Sequence, residues 1–240
     1  MAYKKINIDT VHQEVLALAN KEQRGYITPQ EFNLFAEQAQ LEIYENYFHD
    51  LRIAQLKPKN STMVADEIDM IIERLSPFVV SGSTATKDQD SNTTYSVPVD
   101  AYTIRSINFT PSGGTLTEIP EVSPHEITYM LGNSLTSPTT KRPVHVKDNT
   151  SNLKVYPSSF AETITIDYYK IPTTPNWGYV IVNNKALYNS NSSTDFDLHI
   201  SEQNNLVMRI LELAGISVKD QTLSDVALRD RANTKAEKNS

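Results

Sequence analysis

Thr28-Pro29-Gln30-Glu31 carries all the signals of a helix start, and it opens the longest helix that the sequence predicts. The threonine hydroxyl can accept from the amide of residue 31, and the glutamate can accept from the amide of Thr28. Proline at the first helical position has no N–H to leave unpaired. No glycine or proline follows until Pro58, which predicts a helix of roughly 28 residues, about 42 Å long.

A wide apolar surface runs along this helix. One stripe at helical spacing comprises Phe32, Phe35, Ala39, Ile43 and Tyr47, and it is widened by Ala36, Tyr44, Phe48 and Leu51. A surface of this width must bury against more than one neighbour, and other subunits are among the candidates.

Three further helices are predicted from apolar residues at helical spacing. They cover about residues 8–21, about residues 62–75, and a C-terminal helix that Ser201 caps and Gly215 ends. The buried face of the C-terminal helix is predicted to be Leu206, Val207, Ile210, Leu211 and Ala214.

The middle of the chain alternates polar and apolar residues with period 2, which is typical of strands. One short helix is predicted there, capped by Ser123 and closed by Gly132. Residues 81–94 are polar without periodicity and are predicted to be an exposed loop. The predicted strands lie at about residues 95–99, 102–109, 116–119, 144–146, 153–156, 163–171 and 179–182.

Along the chain, predicted helices are followed by strands and then by a further helix, and this order indicates an α+β fold. The N-terminal helices and the C-terminal helix are predicted to form a helical bundle, with a central, mostly antiparallel β-rich insertion. We expect a helical part at residues 1–78, the insertion with its short helix at 79–199, and a helix and mobile tail at 200–240 that packs back on the helical part. The chain after Leu228 is charged and carries too little apolar surface to order itself without a partner.

Composition excludes several kinds of site. The 240 residues include no cysteine, 7 glycines and 12 prolines, and the net charge is −7. Disulfides, thiolate metal sites and thiol nucleophiles are therefore excluded. No apolar run reaches the roughly 18 residues of a membrane span, and we see no secretion signal. An acidic chain is also a poor candidate for wrapping nucleic acid tightly.

Catalytic and metal-binding motifs are not found, which predicts a protein that is not an enzyme and has no cofactor or metal. The five histidines form no HExxH pattern, and no GxSxG or phosphate-binding glycine motif occurs. Asp88-Gln89-Asp90 begins like a calcium loop, but Thr93 and Val99 replace the required glycine and glutamate. Four carboxylates on the long helix are interpreted as a solvated face: Glu37, Glu42, Glu45 and Asp50.

Three stretches together resemble the head-to-tail connector (adaptor) ring proteins of tailed bacteriophages, closest to ring proteins of short-tailed, crAss-like phages. The first is Arg24-Gly25-Tyr26-Ile27-Thr28-Pro29-Gln30-Glu31-Phe32-Asn33, followed by Ala36-Glu37-Gln38-Ala39-Gln40. The second is Ile166-Asp167-Tyr168-Tyr169-Lys170-Ile171-Pro172 through Pro175-Asn176-Trp177. The third is Asp195-Phe196-Asp197-Leu198-His199-Ile200-Ser201-Glu202, which leads into the C-terminal helix.

The resemblance implies a non-enzymatic virion protein, assembled in the host cytoplasm. Such adaptors form rings, commonly of twelve copies, below the portal, where they continue the DNA channel and link neighbouring portal or tail rings. The implied partners are copies of the chain itself, portal, connector and tail proteins, and genomic DNA that passes without tight binding; no membrane is implied. The resemblance also implies that residues 217–240 order on docking to a neighbouring ring or the portal.

The chain is rich in tyrosine, with 12 tyrosines and a single tryptophan. Aromatic rings anchor protein interfaces but also fill cores, and the sequence leaves both explanations open. The hypothetical subunit or ring interface is Phe35, Tyr44, Phe48, Tyr168, Tyr169, Trp177, Tyr179, Leu228, Arg229 and Arg231. The alternative functions are a glycan-binding or glycan-degrading virion component, which would use a carboxylate pair and the aromatic-rich sheet, and an α+β interaction domain of unknown context.

Overall fold

The computed structural model describes residues 5–21, 27–57, 62–88, 93–111, 114–148 and 151–215. Its helices are α1 (Ile8–Lys21), α2 (Pro29–Leu56), α3 (Thr62–Leu75), α4 (Pro124–Gly132) and α5 (Gln203–Leu213). Its strands are β1 (Lys5–Ile6), β2 (Val79–Thr84), β3 (Thr86–Lys87), β4 (Thr94–Ser96), β5 (Ala101–Phe109), β6 (Thr117–Glu118), β7 (Val144–Lys147), β8 (Asn152–Tyr156), β9 (Ile164–Lys170), β10 (Tyr179–Val182), β11 (Lys185–Tyr188) and β12 (Phe196–His199).

The predicted α+β class is confirmed, with the strands arranged in antiparallel sheets. The chain divides into a helical unit, made by residues 1–77 together with the chain from Pro172 onward, and a β-rich unit of residues 78–171. The insertion therefore ends at Ile171, where the sequence placed its end at residue 199. The difference arises because β10, β11 and β12 belong to the helical unit.

The long helix α2 forms as its sequence predicts. The hydroxyl of Thr28 accepts from the amide of Glu31 at 3.3 Å, and the Glu31 carboxylate accepts from the amide of Thr28 at 2.9 Å. One face of α2 is buried, and the helix contacts α3, α5 and β12. Several neighbouring elements thus cover the apolar face of α2, as expected for so broad an apolar stripe.

The C-terminal helix starts differently from the prediction. Ser201 does not cap it: a short 3₁₀ turn at Ile200–Glu202 comes first, and the amide of Ser201 donates to Nδ1 of His199. Helix α5 then begins without a side-chain cap, and its buried residues are Leu206, Val207, Ile210 and Leu211. Gly215, with φ of +69°, follows the helix in the left-handed conformation that ends helices.

Helix α4 lies in the β-rich unit. Its predicted N-cap is confirmed, because Ser123 Oγ accepts from the amide of Glu126 at 3.2 Å. Its predicted end is one residue too early: the sequence places Gly132 just after the helix, whereas Gly132 is the last helical residue and Asn133 is the C-cap in an extended conformation. The chain leaves this helix without a left-handed residue, so glycine is not required there.

The β-rich unit contains two four-stranded antiparallel sheets, in the orders β2-β9-β5-β6 and β3-β4-β8-β7. Both sheets supply side chains to one hydrophobic cluster that includes Tyr95, Phe109, Leu153 and Ile166. The predicted loop at 81–94 is wrong in part, because β2 and β3 occupy much of it; residues 89–92 lie outside the described residues. This polar stretch can form a strand because β2 pairs with β9 through backbone groups, which polar residues supply as well as apolar ones.

Among the described residues, no helix combines the length and hydropathy that a bilayer crossing requires.

Candidate interaction surface

Trp177 is the centre of a buried cluster in the helical unit. Its side chain is 4% exposed, and its ring stacks on His12 of α1, with centroids 3.9 Å apart. The indole Nε1 donates to Asp9 of α1 at 3.0 Å, and the backbone amide donates to Asn33 of α2 at 2.7 Å. Residues 172–178, which Trp177 anchors in this way, are called the clasp below.

His12 contacts two aromatic rings at once. Besides stacking on Trp177, it meets Phe32 edge-on, with centroids 4.7 Å apart. Burial lowers the pKa of His12, and the nearby Asp9 carboxylate offsets only part of that effect. The imidazole is therefore neutral at pH 7, and its role in the cluster is packing.

Two amide side chains of α2 bind the backbone of the clasp. Asn33 Nδ2 donates to the carbonyl of Trp177 at 3.3 Å, and Gln40 Nε2 donates to the carbonyl of Thr173 at 2.8 Å. The two amides are seven residues apart, which places them on one face of the helix, two turns from each other. They satisfy clasp backbone groups that no regular sheet pairs.

Asp197 of β12 closes the network from the other side. Its carboxylate is buried and accepts from the amide of Thr173 at 2.9 Å and from Lys5 Nζ at 2.6 Å. Its own amide donates to Gln40 at 2.9 Å. Strands β1 and β12, helix α2 and the clasp are thereby held together by charged and amide groups that are hydrogen-bonded.

A two-stranded hairpin leaves the clasp directly; we call Tyr179–Tyr188 the ribbon. Its register pairs Tyr179 with Tyr188 and Val182 with Lys185. Asn183 and Asn184 form its turn with φ of 50° and 60°, the left-handed values that a tight hairpin turn requires. The rings of Tyr179 and Tyr188 lie 5.9 and 5.8 Å from that of Trp177, so the base of the ribbon rests on the clasp.

Gly178 joins the clasp to the ribbon at a point with no room for a side chain. A Cβ there would lie 2.7 Å from the carbonyl carbon of Ser192 and closer still to its hydroxyl. The amide of Gly178 donates to Ser193 at 3.0 Å, and its carbonyl accepts from Asn189 at 2.8 Å. The direction in which the ribbon leaves is therefore fixed by contacts of Gly178 with the Ser193 hydroxyl and with the backbone of residues 189 and 192.

The outer part of the ribbon is apolar and exposed. Val180 is 46% exposed, Ile181 70%, Val182 47% and Leu187 50%. Within the described residues, β10 and β11 pair only with each other. A lone two-stranded hairpin is marginal in water, and aliphatic side chains on both of its faces are typical of a surface that a partner covers.

A second exposed apolar surface lies on α2, opposite its buried face. We call Leu34, Leu41, Phe48 and Leu56 the outer stripe; at 100° per residue they share one sector of the helix. The three leucines are exposed and Phe48 is half-buried, with its ring edge-on to Tyr44. The buried face lies about half a turn away and comprises Phe32, Ala36, Ala39, Ile43 and Tyr47.

The structure separates the predicted interface residues into three groups. Four are buried within the chain and offer almost no surface to another subunit: Tyr44, Tyr168, Tyr169 and Trp177. Three are half-buried and keep part of their rings accessible: Phe35, Phe48 and Tyr179. The remaining three lie outside the described residues: Leu228, Arg229 and Arg231.

Tyr168 and Tyr169 belong to the β-rich unit, whereas the ring cluster around Trp177 is in the helical unit. Tyr168 donates its hydroxyl hydrogen to Asp100 at 2.9 Å, and the guanidinium of Arg105 lies over the Tyr169 ring at 5.4 Å. Each has a structural partner within its own unit.

Sequence reasoning also missed residues that the structure makes central, namely Asp9, His12, Asn33, Gln40 and Asp197. The available signal was a pair of amides on α2, seven residues apart and next to its apolar stripe. Buried amides at such positions usually bind backbone, because a buried amide must be hydrogen-bonded.

The predicted solvated face of α2 is only partly solvated. Glu45 and Asp50 are exposed. Glu42 forms an ion pair with Arg209 of α5, and Glu37 accepts from the hydroxyl of Thr174 at 3.3 Å. Half of these carboxylates thus have structural partners. The described residues contain no group of three or more side chains suited to hold a metal ion.

Neither protein-family models nor curated proteins gave a match to this sequence.

Proposed function

We propose that the protein is a structural virion protein that forms a ring in the head-to-tail connector of a tailed phage. The observation that carries the proposal is that one unit exposes two unlike apolar surfaces, the ribbon and the outer stripe. A contact between unlike surfaces repeats from copy to copy and closes into a ring where the rotation allows. A protein that acts alone has little reason to expose both.

The stretches that carry the resemblance to connector proteins support this proposal through their physical roles. The stretch at residues 24–40 contains Asn33 and Gln40. The stretch at 166–177 contains Trp177, and the stretch at 195–202 contains Asp197. These residues build the clasp, which fixes the direction of the ribbon. The resemblance thus falls on the part of the molecule that positions a contact surface.

In the proposed connector the ring lies below the portal, continues the DNA channel and links neighbouring portal or tail rings. The net charge of −7 is compatible with a channel through which duplex DNA slides, because a basic lumen would retain DNA through counterion release. Tight binding of duplex DNA at low salt would argue against this role.

Electron microscopy of the purified protein and of its native particle tests the proposal. We expect closed rings from the purified protein, and a ring of the same diameter between the capsid and the tail of the particle. A stable single chain that cleaves or binds a polysaccharide would instead favour the glycan-directed alternative. Light scattering coupled to size-exclusion chromatography separates these outcomes before any image is taken.

A further inference from the structure

We propose that the ribbon of one copy docks on the outer stripe of α2 of the next copy. This inference rests on the proposed ring and names the surfaces that meet in it. The occupant of the outer stripe is therefore a second copy of this chain.

The apolar groups of the two surfaces suit each other. Val180 pairs with Leu187 across the ribbon, and alternate residues share a face, so Val180, Val182 and Leu187 form one aliphatic face. The opposite face carries Tyr179 and Tyr188, which lie against Trp177 at the base. The aliphatic face is thus turned away from the clasp and open to an apolar row such as the outer stripe.

Charge favours the same pairing. Lys185 is the one charged residue of the ribbon, and it is exposed beside the turn. Glu45 is exposed within the sector of the outer stripe, between Leu41 and Phe48. Helix α2 is acidic overall, with Glu31, Glu37, Glu42, Glu45 and Asp50 against the single Arg52. A cationic ribbon tip is attracted to such a helix, and opposite charges help to fix register.

Contact between the two surfaces has to be intermolecular. Within one chain Val180, Val182 and Leu187 remain about half exposed, and Leu34 and Leu56 remain largely exposed, so the ribbon does not cover its own helix. Asn33 and Gly178 hold the base of the ribbon in place, which prevents it from swinging over. A neighbouring copy can bring its α2 to the ribbon without disturbing the clasp.

Thiol cross-linking tests the pairing, and the absence of cysteine makes every cross-link attributable to the introduced residues. The test variant carries Val182→Cys and Leu41→Cys in the full chain and is treated with a short bismaleimide. The controls are each single variant and the pair Val99→Cys with Leu41→Cys, since Val99 is a fully exposed valine outside the ribbon. Circular dichroism confirms that each variant is folded.

We expect a ladder of cross-linked chains from the Val182→Cys, Leu41→Cys variant and no ladder from the controls. Dimers from Val182→Cys alone would show a ribbon-to-ribbon contact and overturn the inference. Closed rings in the microscope without a Val182–Leu41 cross-link would also overturn it, while leaving the proposed function standing. A chain that neither cross-links nor forms rings would contradict both.

A charge exchange provides an independent readout of the same contact. Either Lys185→Glu or Glu45→Lys is expected to raise the apparent Kd of self-association about tenfold, because it places like charges together. The double variant is expected to recover most of the loss, since the attraction is restored with its sign reversed. If the double variant instead associates more weakly than either single variant, the contact between these two residues is overturned.

Discussion

The clasp binds its backbone carbonyls, amides and indole N–H to two helices and a strand, whereas the ribbon that follows it leaves four aliphatic side chains about half exposed or more. The two segments are consecutive in the chain and lie in the same unit. The hydrogen bonds that hold this part of the chain in place thus lie in the clasp, and its exposed apolar side chains lie in the ribbon. In the proposed assembly, such an arrangement would present the ribbon to a neighbouring copy in a fixed direction, so less conformational entropy would be lost on binding.

Removing Trp177 should have the largest effect on stability. Trp177→Ala is expected to lower the free energy of unfolding by about 3–5 kcal/mol, because it empties a buried site and leaves Asp9 without the indole donor. Chemical denaturation measures the change. Tyr129→Ala is the control, since that aromatic ring is exposed on α4. A loss no larger than that of the control would show that the clasp is not a stabilising element.

A methyl group added at Gly178, where the clasp joins the ribbon, should have the next largest effect on stability. Gly178→Ala is expected to cost about 1–3 kcal/mol, because its Cβ meets the backbone of Ser192. Gly132→Ala is the matched control, since no atom lies within 4 Å of a Cβ at the end of α4. It should be neutral or slightly stabilising. Equal thermal unfolding temperatures for the two variants would contradict the tight junction.

Protonation of His12 should have a smaller effect that depends on pH. Burial places the pKa of the folded state below the ordinary value of 6.5, so the unfolded chain binds the proton more readily. Stability therefore falls as the pH drops below 6.5. His12→Phe keeps a ring against Trp177 but cannot titrate, so its unfolding free energy should decline less between pH 7 and pH 5. Parallel pH profiles for the two proteins would contradict a neutral, buried imidazole.

Substitution at the ribbon tip should have the smallest effect on folding. Val182→Gln is expected to change the free energy of unfolding by no more than about 1 kcal/mol, because about half of the side chain is already exposed. Sedimentation velocity of the same variant should show weaker self-association than wild type. Strong destabilisation would mean that the ribbon is part of the core, as the clasp is, and not an exposed surface.

The helices could be predicted from the sequence because their signals are local. The capping groups of Thr28 and Glu31 and the apolar spacing of α1 and α3 act within a few residues, and the structure confirms the predicted bounds of all three helices. Strand β12 could not be predicted, because its pairing partner β1 lies at the other end of the chain. Strand β2 was missed because Ser81-Gly82-Ser83-Thr84 has loop composition and is held by β9.

The candidate surface could be predicted only in outline. The sequence left the aromatic residues around Trp177 open between an interface and a core, and the rings of Trp177, Tyr179 and Tyr188 do cluster. Whether Trp177 faces solvent or core depends on where α1 and α2 place Asp9 and Asn33, which no local pattern encodes. The exposed aliphatic residues of the ribbon look like an ordinary buried strand in the sequence, and only their exposure in the fold points to a partner.

The molar mass in solution shows whether the ribbon is an assembly surface. Light scattering would be recorded over a range of concentrations for the wild-type chain of 27.0 kDa and for Val182→Gln, which changes the aliphatic face of the ribbon. We expect a wild-type mass that rises to that of a closed ring and a variant that stays nearer the single-chain mass at the same concentrations. A wild-type chain that remains single throughout, or a variant that assembles equally well, would contradict this expectation.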